Sequence, residues 1–258
     1  MAACQPMSDR LGRIPPVRES KVDMVFSYVV VADTGFAPNP FFGLCTLACC
    51  KPQLRKGVGH RVLAATGCDD VRQVEALPPD TVRNLNIWVV GLAGTHLHDH
   101  VRRGVVFAMQ VTGVTDFERY YLEHPEKRPV RTDPVTDQDP CWHGDAIYTG
   151  NDPATTLQIC PSAHSDGDHE NLGNKAHDLS GQYVLLSDHF VYFGPDAPWV
   201  PLEQRLHHGR GHSITQDPDT LRELEDLLNG DWAGLFDDTS QKRAADPRSS
   251  GQQCRGVA

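Results

Sequence analysis

The apolar run from Val25 to Ala32 is dense in β-branched residues and predicts a strand covered on both faces. Gly35, Pro38 and Pro40 end it, and Asn39 is pinned between two prolines that fix φ and restrict the residues before them. Ile87 to Gly91 and Gly104 to Val114 carry the same apolar pattern, and the interval Leu92 to Arg103 suits a hairpin between them. Strand character returns at Gln182–Ser187 and Phe190–Gly194. Helical signals are fewer. Asp69 or Asp70 caps a short helix that ends by Ala76 before Pro78 and Pro79, and Thr115 or Asp116 caps another through Leu122. Asp217 as N-cap, Pro218 in the first turn, Leu221, Leu224, Leu227 and Leu228 on one face and Gly230 as stop define a last helix. Pro125 to Pro140 reads as a polar surface loop, Asp145 to Tyr148 as a short strand or turn, and Gln158 to Ser180 as loop.

Strands outnumber helices without regular alternation, which predicts an α+β fold built on a small curled sheet or barrel with peripheral helices. The expected organisation is a disordered arm over 1–23, one domain over 24–236 and a disordered tail over 237–258. A net charge of −10 argues against a long groove for duplex nucleic acid, because such binding is driven by counterion release at a basic surface. Local basic clusters remain, at Lys51, Arg55, Lys56, His60 and Arg61, at Arg102 and Arg103, and at Arg205, Arg210 and His212. They suit one nucleotide or a short strand. No stretch reaches the ~18 apolar residues of a membrane span. Eight cysteines without an export signal point to a reducing, cytoplasmic setting.

The stiff loop around Asn39, with Phe36, Phe41 and Phe42, suits holding a planar ligand. Cys45, Cys49 and Cys50 admit a nucleophile, a metal site or a buried small-residue element; Cys49 and Cys50 read best as buried, with Lys51 the better contact for a phosphate or base oxygen. The segment Cys160 to Asp178 is the densest polar cluster, with His164, His169 and His177. Its spacing matches no zinc signature, so acid–base or hydrogen-bonding use of His164 or His177 is favoured over metal ligation. His96, His98 and His100 read as a polar hairpin tip. In Gly209–His212, two glycines admit a ligand beside Arg210 and His212, or simply make a linker.

In order over about residues 25–215 stand Phe26-Ser-Tyr, Phe36-Ala-Pro-Asn-Pro-Phe41, Thr46-Leu-Ala-Cys-Cys-Lys51-Pro, Trp88-Val-Val-Gly91 and Phe107-Ala-Met. Gly144-Asp-Ala-Ile-Tyr148, Ser162-x-His164, Asn174-x-x-His177-Asp178, Val184-Leu-Leu-Ser187, Tyr192-Phe-Gly194 and Gly211-His212 follow. This series resembles the nucleotide modification associated domain 2 family, found beside DNA base-modification enzymes in phage and bacterial gene clusters. Where that family has Gly-Asp before its Trp-Val-Val-Gly strand, this chain has Asn86-Ile87, after an insertion from about Val62 to Leu85. The strand order also resembles a PUA-like β-barrel. The resemblance implies a protein that binds a base in a pocket and acts on it. Phe36, Asn39, Phe41, Lys51, Asp145, Tyr148, Asn174, Tyr192, Phe193, Arg210 and His212 are its expected ligand contacts, and His164, His177 and Asp178 its expected catalytic groups. Expected partners are a nucleotide or modified base, a short nucleic acid and base-modification enzymes. The alternatives are a catalytically silent reader of modified bases or a metal-dependent hydrolase using the His-rich segment. No metal centre is assigned and no cofactor is named.

Overall fold

A computed structural model describes residues 21–94, 104–130, 144–194, 206 and 211–229. The sequence patterns become β1 (Met24–Val30), β2 (Cys45–Leu47), α1 (Pro52–Thr66), α2 (Val71–Glu75), β3 (Ile87–Ala93), β4 (Val105–Gln110), β5 (Gly113–Thr115) and α3 (Phe117–Glu123). They continue with α4 (Leu172–Leu179), β6 (Val184–Ser187), β7 (His189–Tyr192), β8 (His212–Thr215) and α5 (Pro218–Asn229). The fold is α+β. One sheet has the order β7-β4-β3-β1-β8 and the other β2-β6-β5. β1 and β3 pair in parallel, Phe26 opposite Val89, as a crossover through α1 permits; the other pairings are antiparallel.

The sheets curl into each other because two stretches of chain serve both. The predicted long strand Gly104–Val114 divides at Val111 and Thr112, whose amides donate to Ile87 O at 2.8 Å and Leu186 O at 2.9 Å. β6 and β7 make the same change of sheet across Asp188. Among the described residues the arrangement stays open and does not close into a barrel.

Alternation along the strands decides what covers each face. Phe26, Tyr28, Val30, Val89, Phe107 and Met109 pack under Leu54, Val58 and Val62 of α1. Val25, Trp88, Val90, Val105 and Ala108 point the other way, against Leu221, Leu224 and Leu227 of α5. Burying one such side chain contributes about 1.5–3 kcal/mol. A third cluster joins Phe36, Cys49, Phe117, Tyr120, Tyr148 and Leu179, and so ties the proline loop to α3 and α4.

Asp70, Asp116 and Asp217 cap α2, α3 and α5 as read from the sequence, each accepting from an amide three residues on. Three elements depart from the sequence reading. α1 occupies the basic segment, with Pro52 in its first turn and Gly67 closing it at φ 71°. The stripe Leu54, Val58 and Val62 was masked by polar neighbours and by Gly57 and Gly59; at Gly59 a Cβ would lie 2.2 Å from the Tyr183 ring. α4 lies inside the expected loop, capped by Asn171, whose side chain accepts from Asn174 N. β8 takes the place of the expected linker and pairs with β1, His212 opposite Tyr28. Asn86, which stands where the resembled pattern has Gly-Asp, adopts φ 57°, accepts from Trp88 Nε1 at 2.7 Å and donates to Asp23 Oδ1 at 2.7 Å, which sets the entry to β3.

Candidate functional site

Cys50 and Lys51, at the entrance to α1, both have left-handed backbones, with φ 58° and 43°. Non-glycine residues adopt this region at a cost of about 1–3 kcal/mol, so the surroundings must impose it. Here Arg55, buried in α1, donates through Nε to Cys50 O at 2.8 Å, while its other nitrogens reach Tyr183 O and Asp178 O at 2.6 Å each. Cys50 N donates to Asp178 Oδ1 at 2.7 Å. The result is a half-buried thiol held at the N-terminal end of a 15-residue helix.

His164 closes the constellation. Its Nδ1 lies 2.6 Å from Asp178 Oδ2, and its Nε2 lies 3.5 Å from Cys50 Sγ. Asp178 is fully buried on α4, and its Oδ2 also accepts from Tyr148 OH at 2.8 Å. Phe36 covers the imidazole with ring centroids 4.7 Å apart, and Asn174 Nδ2 fixes the His164 carbonyl at 3.1 Å. Burial alone would lower the imidazole; its hydrogen bonds to Asp178 and Cys50 outweigh this and lift it to about 10. Burial alone would likewise raise the Asp178 carboxyl, yet the His164 hydrogen bond and charge, with Arg55 and Tyr148, hold it below the usual carboxylate range.

The sign of the pH dependence follows. A raised imidazole stabilises the fold fully below its ordinary value of about 6.5, and that contribution is lost as pH rises toward 10. The lowered carboxyl contributes above its own ordinary value of about 3.9 and loses this as pH falls. The stability difference between wild type and His164→Ala, read from urea midpoints, is therefore expected to be large at pH 6 and to shrink by pH 10. A difference that grows with pH would contradict the assigned pairing.

A cleft of about 550 Å³ opens beside Cys50, with Tyr28, Lys51, Leu54, His177 and His212 in its walls. The residues singled out in the sequence separate by where the fold places them. Phe36, Tyr148, His164, Asn174 and Asp178 converge on Cys50, while Lys51, His177 and His212 line the cleft. Asn39, Phe41 and Asp145 belong to the scaffold behind it. The buried Lys127 ammonium donates to Asn39 Oδ1 at 2.7 Å, Phe41 O at 2.8 Å and Leu44 O at 2.5 Å. Asp145 accepts from Tyr120 OH at 2.6 Å and Thr46 OH at 2.8 Å. Tyr192 donates to Asp33 at 2.7 Å, and Phe193 packs on the α5 side of the sheet. Arg210 and the histidines at 96, 98 and 100 lie outside the described residues, as do 1–20 and 230–258.

Cys50 is the functional candidate that sequence reasoning set aside. The available signal was Pro52, which marks a helix start two residues later and so places the thiol at a helix N-terminus. Arg55 and Lys127 were missed as organisers because buried cations leave no local pattern.

Among the described residues, Cys49, His164 and Asp178 also bring one ligand atom each within 4.8 Å of one another; His164, His169 and His177 form no such group. Burial, reinforced by Asp178 and Asp145, pushes the Cys49 thiol well up, and Asp178 already serves Cys50, His164 and Tyr148.

No described helix is long and apolar enough to cross a membrane. No curated protein and no solved structure matches the chain. Residues 22–70 and 81–247 match the nucleotide modification associated domain 2, the break at 71–80 falling on α2 and the Pro78–Pro79 turn and lying within the insertion read from the sequence. With most of its length matched, and with the cleft and the Cys50–His164–Asp178 constellation inside the matched segments, the chain belongs to the nucleotide modification associated domain 2 family.

Proposed function

We propose that this protein is a thiol-dependent acyl-transfer enzyme of nucleotide modification, with Cys50 as nucleophile, His164 as acid and base, and Asp178 as the group that orients the imidazole. One alignment carries the reading: Cys50 Sγ, His164 Nε2 and Nδ1, and Asp178 Oδ2 follow in sequence at 3.5 and 2.6 Å. A nucleophile, a base and an orienting carboxylate in hydrogen-bond reach are what this chemistry requires. A protonated imidazole beside the sulfur is the partner that a reacting thiolate needs.

In the first half-reaction the Cys50 thiolate attacks the carbonyl carbon of an acylated nucleotide or base. The His164 imidazolium gives its proton to the departing amine or alkoxide, leaving a thioester on Cys50. Water or an acceptor amine then attacks the thioester, passes its proton to His164 and frees the thiolate. Lys51 supplies no side-chain cap to α1, and the first-turn amides of Gln53 and Leu54, which lack an intrahelical acceptor, are the donors this reading assigns to the tetrahedral oxyanion.

The test is covalent labelling with iodoacetamide at neutral pH, read by peptide mapping. Cys50 is expected to react at least about 10-fold faster than Cys68 or Cys160, and His164→Ala to remove that advantage. Labelling that spares Cys50, or that is unchanged in His164→Ala, overturns the reading. A reader without catalysis predicts the latter result. Metal analysis of the purified protein addresses the Cys49 grouping, for which stoichiometric zinc, iron or manganese would speak.

A further inference from the structure

Among the described residues, Lys51 in the cleft wall and Arg61, whose charge acts on His212 of that wall, lack acidic partners in a chain whose net charge is −10. The Lys51 ammonium sits 4.9 Å above the Tyr28 ring, and the Arg61 guanidinium 5.2 Å above Phe26. Arg61 donates to Gly57 O, and among the described residues neither side chain has a carboxylate within ion-pair distance. His212 stacks near the same Phe26, with centroids 6.0 Å apart, and burial together with Arg61 and Lys51 draws its imidazole below the usual range. Among the described residues, charge of one sign has therefore gathered here without compensation.

The second observation is independent. Tyr28 is 2 % exposed and lines the cleft, yet among the described residues its hydroxyl has no hydrogen-bond partner. A buried hydroxyl without an acceptor is destabilising, so its place beside an unpaired ammonium points to a ligand that accepts from both. An anion does so. The adjoining wall is apolar, formed by Val29, Val30, Val31 and Ala37, and suits the flat face of a base. The cleft volume of about 550 Å³ lies within the range of small-molecule sites.

We propose that the cleft takes a nucleoside monophosphate, with its phosphate bound by Lys51 and the Tyr28 hydroxyl beside His212 and Arg61, and its base on the apolar wall. This rests on the thiol reading, in which the same cleft delivers the acyl carbon to Cys50. A mononucleotide is favoured over a polymer because the local cations suffice for one phosphate, while the acidic remainder repels a longer chain.

Calorimetric titration of the Cys50→Ser protein with deoxynucleoside 5′-monophosphates and the matching nucleosides tests the assignment without thiol chemistry. The monophosphates are expected to bind about 10-fold or more tightly than the nucleosides, with that margin lost in Lys51→Gln and reduced in Tyr28→Phe. In the unsubstituted chain, bound monophosphate is expected to protect Lys51 from acetylation by acetic anhydride. Equal affinity for nucleoside and monophosphate, or Lys51 acetylation indifferent to the nucleotide, overturns the proposal. Tighter binding of an eight-residue oligodeoxynucleotide overturns the choice of a mononucleotide in favour of a strand. The two readings fail separately: Cys50 labelling without phosphate preference sinks only the anion site, and phosphate preference without Cys50 labelling sinks only the thiol mechanism.

Discussion

Lys127→Met is expected to destabilise the fold by roughly 3–5 kcal/mol, on the order of 10 °C in Tm, without altering any residue of the cleft. Lys127 is fully buried, and burial pulls its ammonium down only to about 8, so it remains a cation at neutral pH. Its nitrogen gathers four oxygens from the loop: Asn39 O at 3.1 Å, Asn39 Oδ1, Phe41 O and Leu44 O. Methionine preserves the length of the side chain but removes the charge. The Phe41 and Leu44 carbonyls then lose their charged donor, and the buried Asp145 carboxyl loses the positive charge that opposes its desolvation. Removing a buried, fully hydrogen-bonded cation is costly because the oxygens around it are left buried without a donor. Differential scanning calorimetry reads the effect, and a Tm within about 2 °C of wild type would show that the loop holds itself.

The second large effect is expected at Asp178, where the site and its scaffold coincide. Asp178→Ala strands Cys50 N and Tyr148 OH, and withdraws the carboxylate that faces the buried Arg55. A loss of about 3–5 kcal/mol is expected from urea unfolding. Asp178→Asn separates chemistry from folding. The amide fills the same volume but carries no charge, so it neither holds His164 protonated nor fixes its tautomer. Iodoacetamide labelling of Cys50 is expected to slow by about 100-fold in Asp178→Asn while its far-UV and near-UV circular dichroism stay native. Native spectra with an unchanged labelling rate would leave Asp178 as a structural residue alone.

These two residues also mark where sequence reading reaches its limit. The strands were legible because a β-branched apolar run reports its own burial. α2, α3 and α5 were legible because Asp70, Asp116 and Asp217 cap helices through contacts three residues away. α1 was not, since its apolar stripe is interrupted by Arg55, Gly57 and Gly59, whose roles depend on Asp178, Phe26 and Tyr183 elsewhere in the fold. β8 was missed for a similar reason: only its pairing with β1 makes it a strand. Within the site, His164, His177 and Asp178 stood out as a polar cluster, and Phe36 and Lys51 as unusual neighbours of prolines. What remained hidden was which of them meet.

The sequence by itself therefore determined the α+β class, the family, most strands, the capped helices and a short list of polar residues, because propensity, capping and alternation act over a few positions. Tertiary structure alone decided that Cys50, rather than His177, stands against His164, that Asp178 serves both, and that Asn39 and Asp145 answer to Lys127. Cys50 lies 114 residues from His164 and 128 from Asp178. No local signal spans such separations. The packing of α1 between the sheets and against α4 brings these groups together, and burial there gives each hydrogen bond its strength.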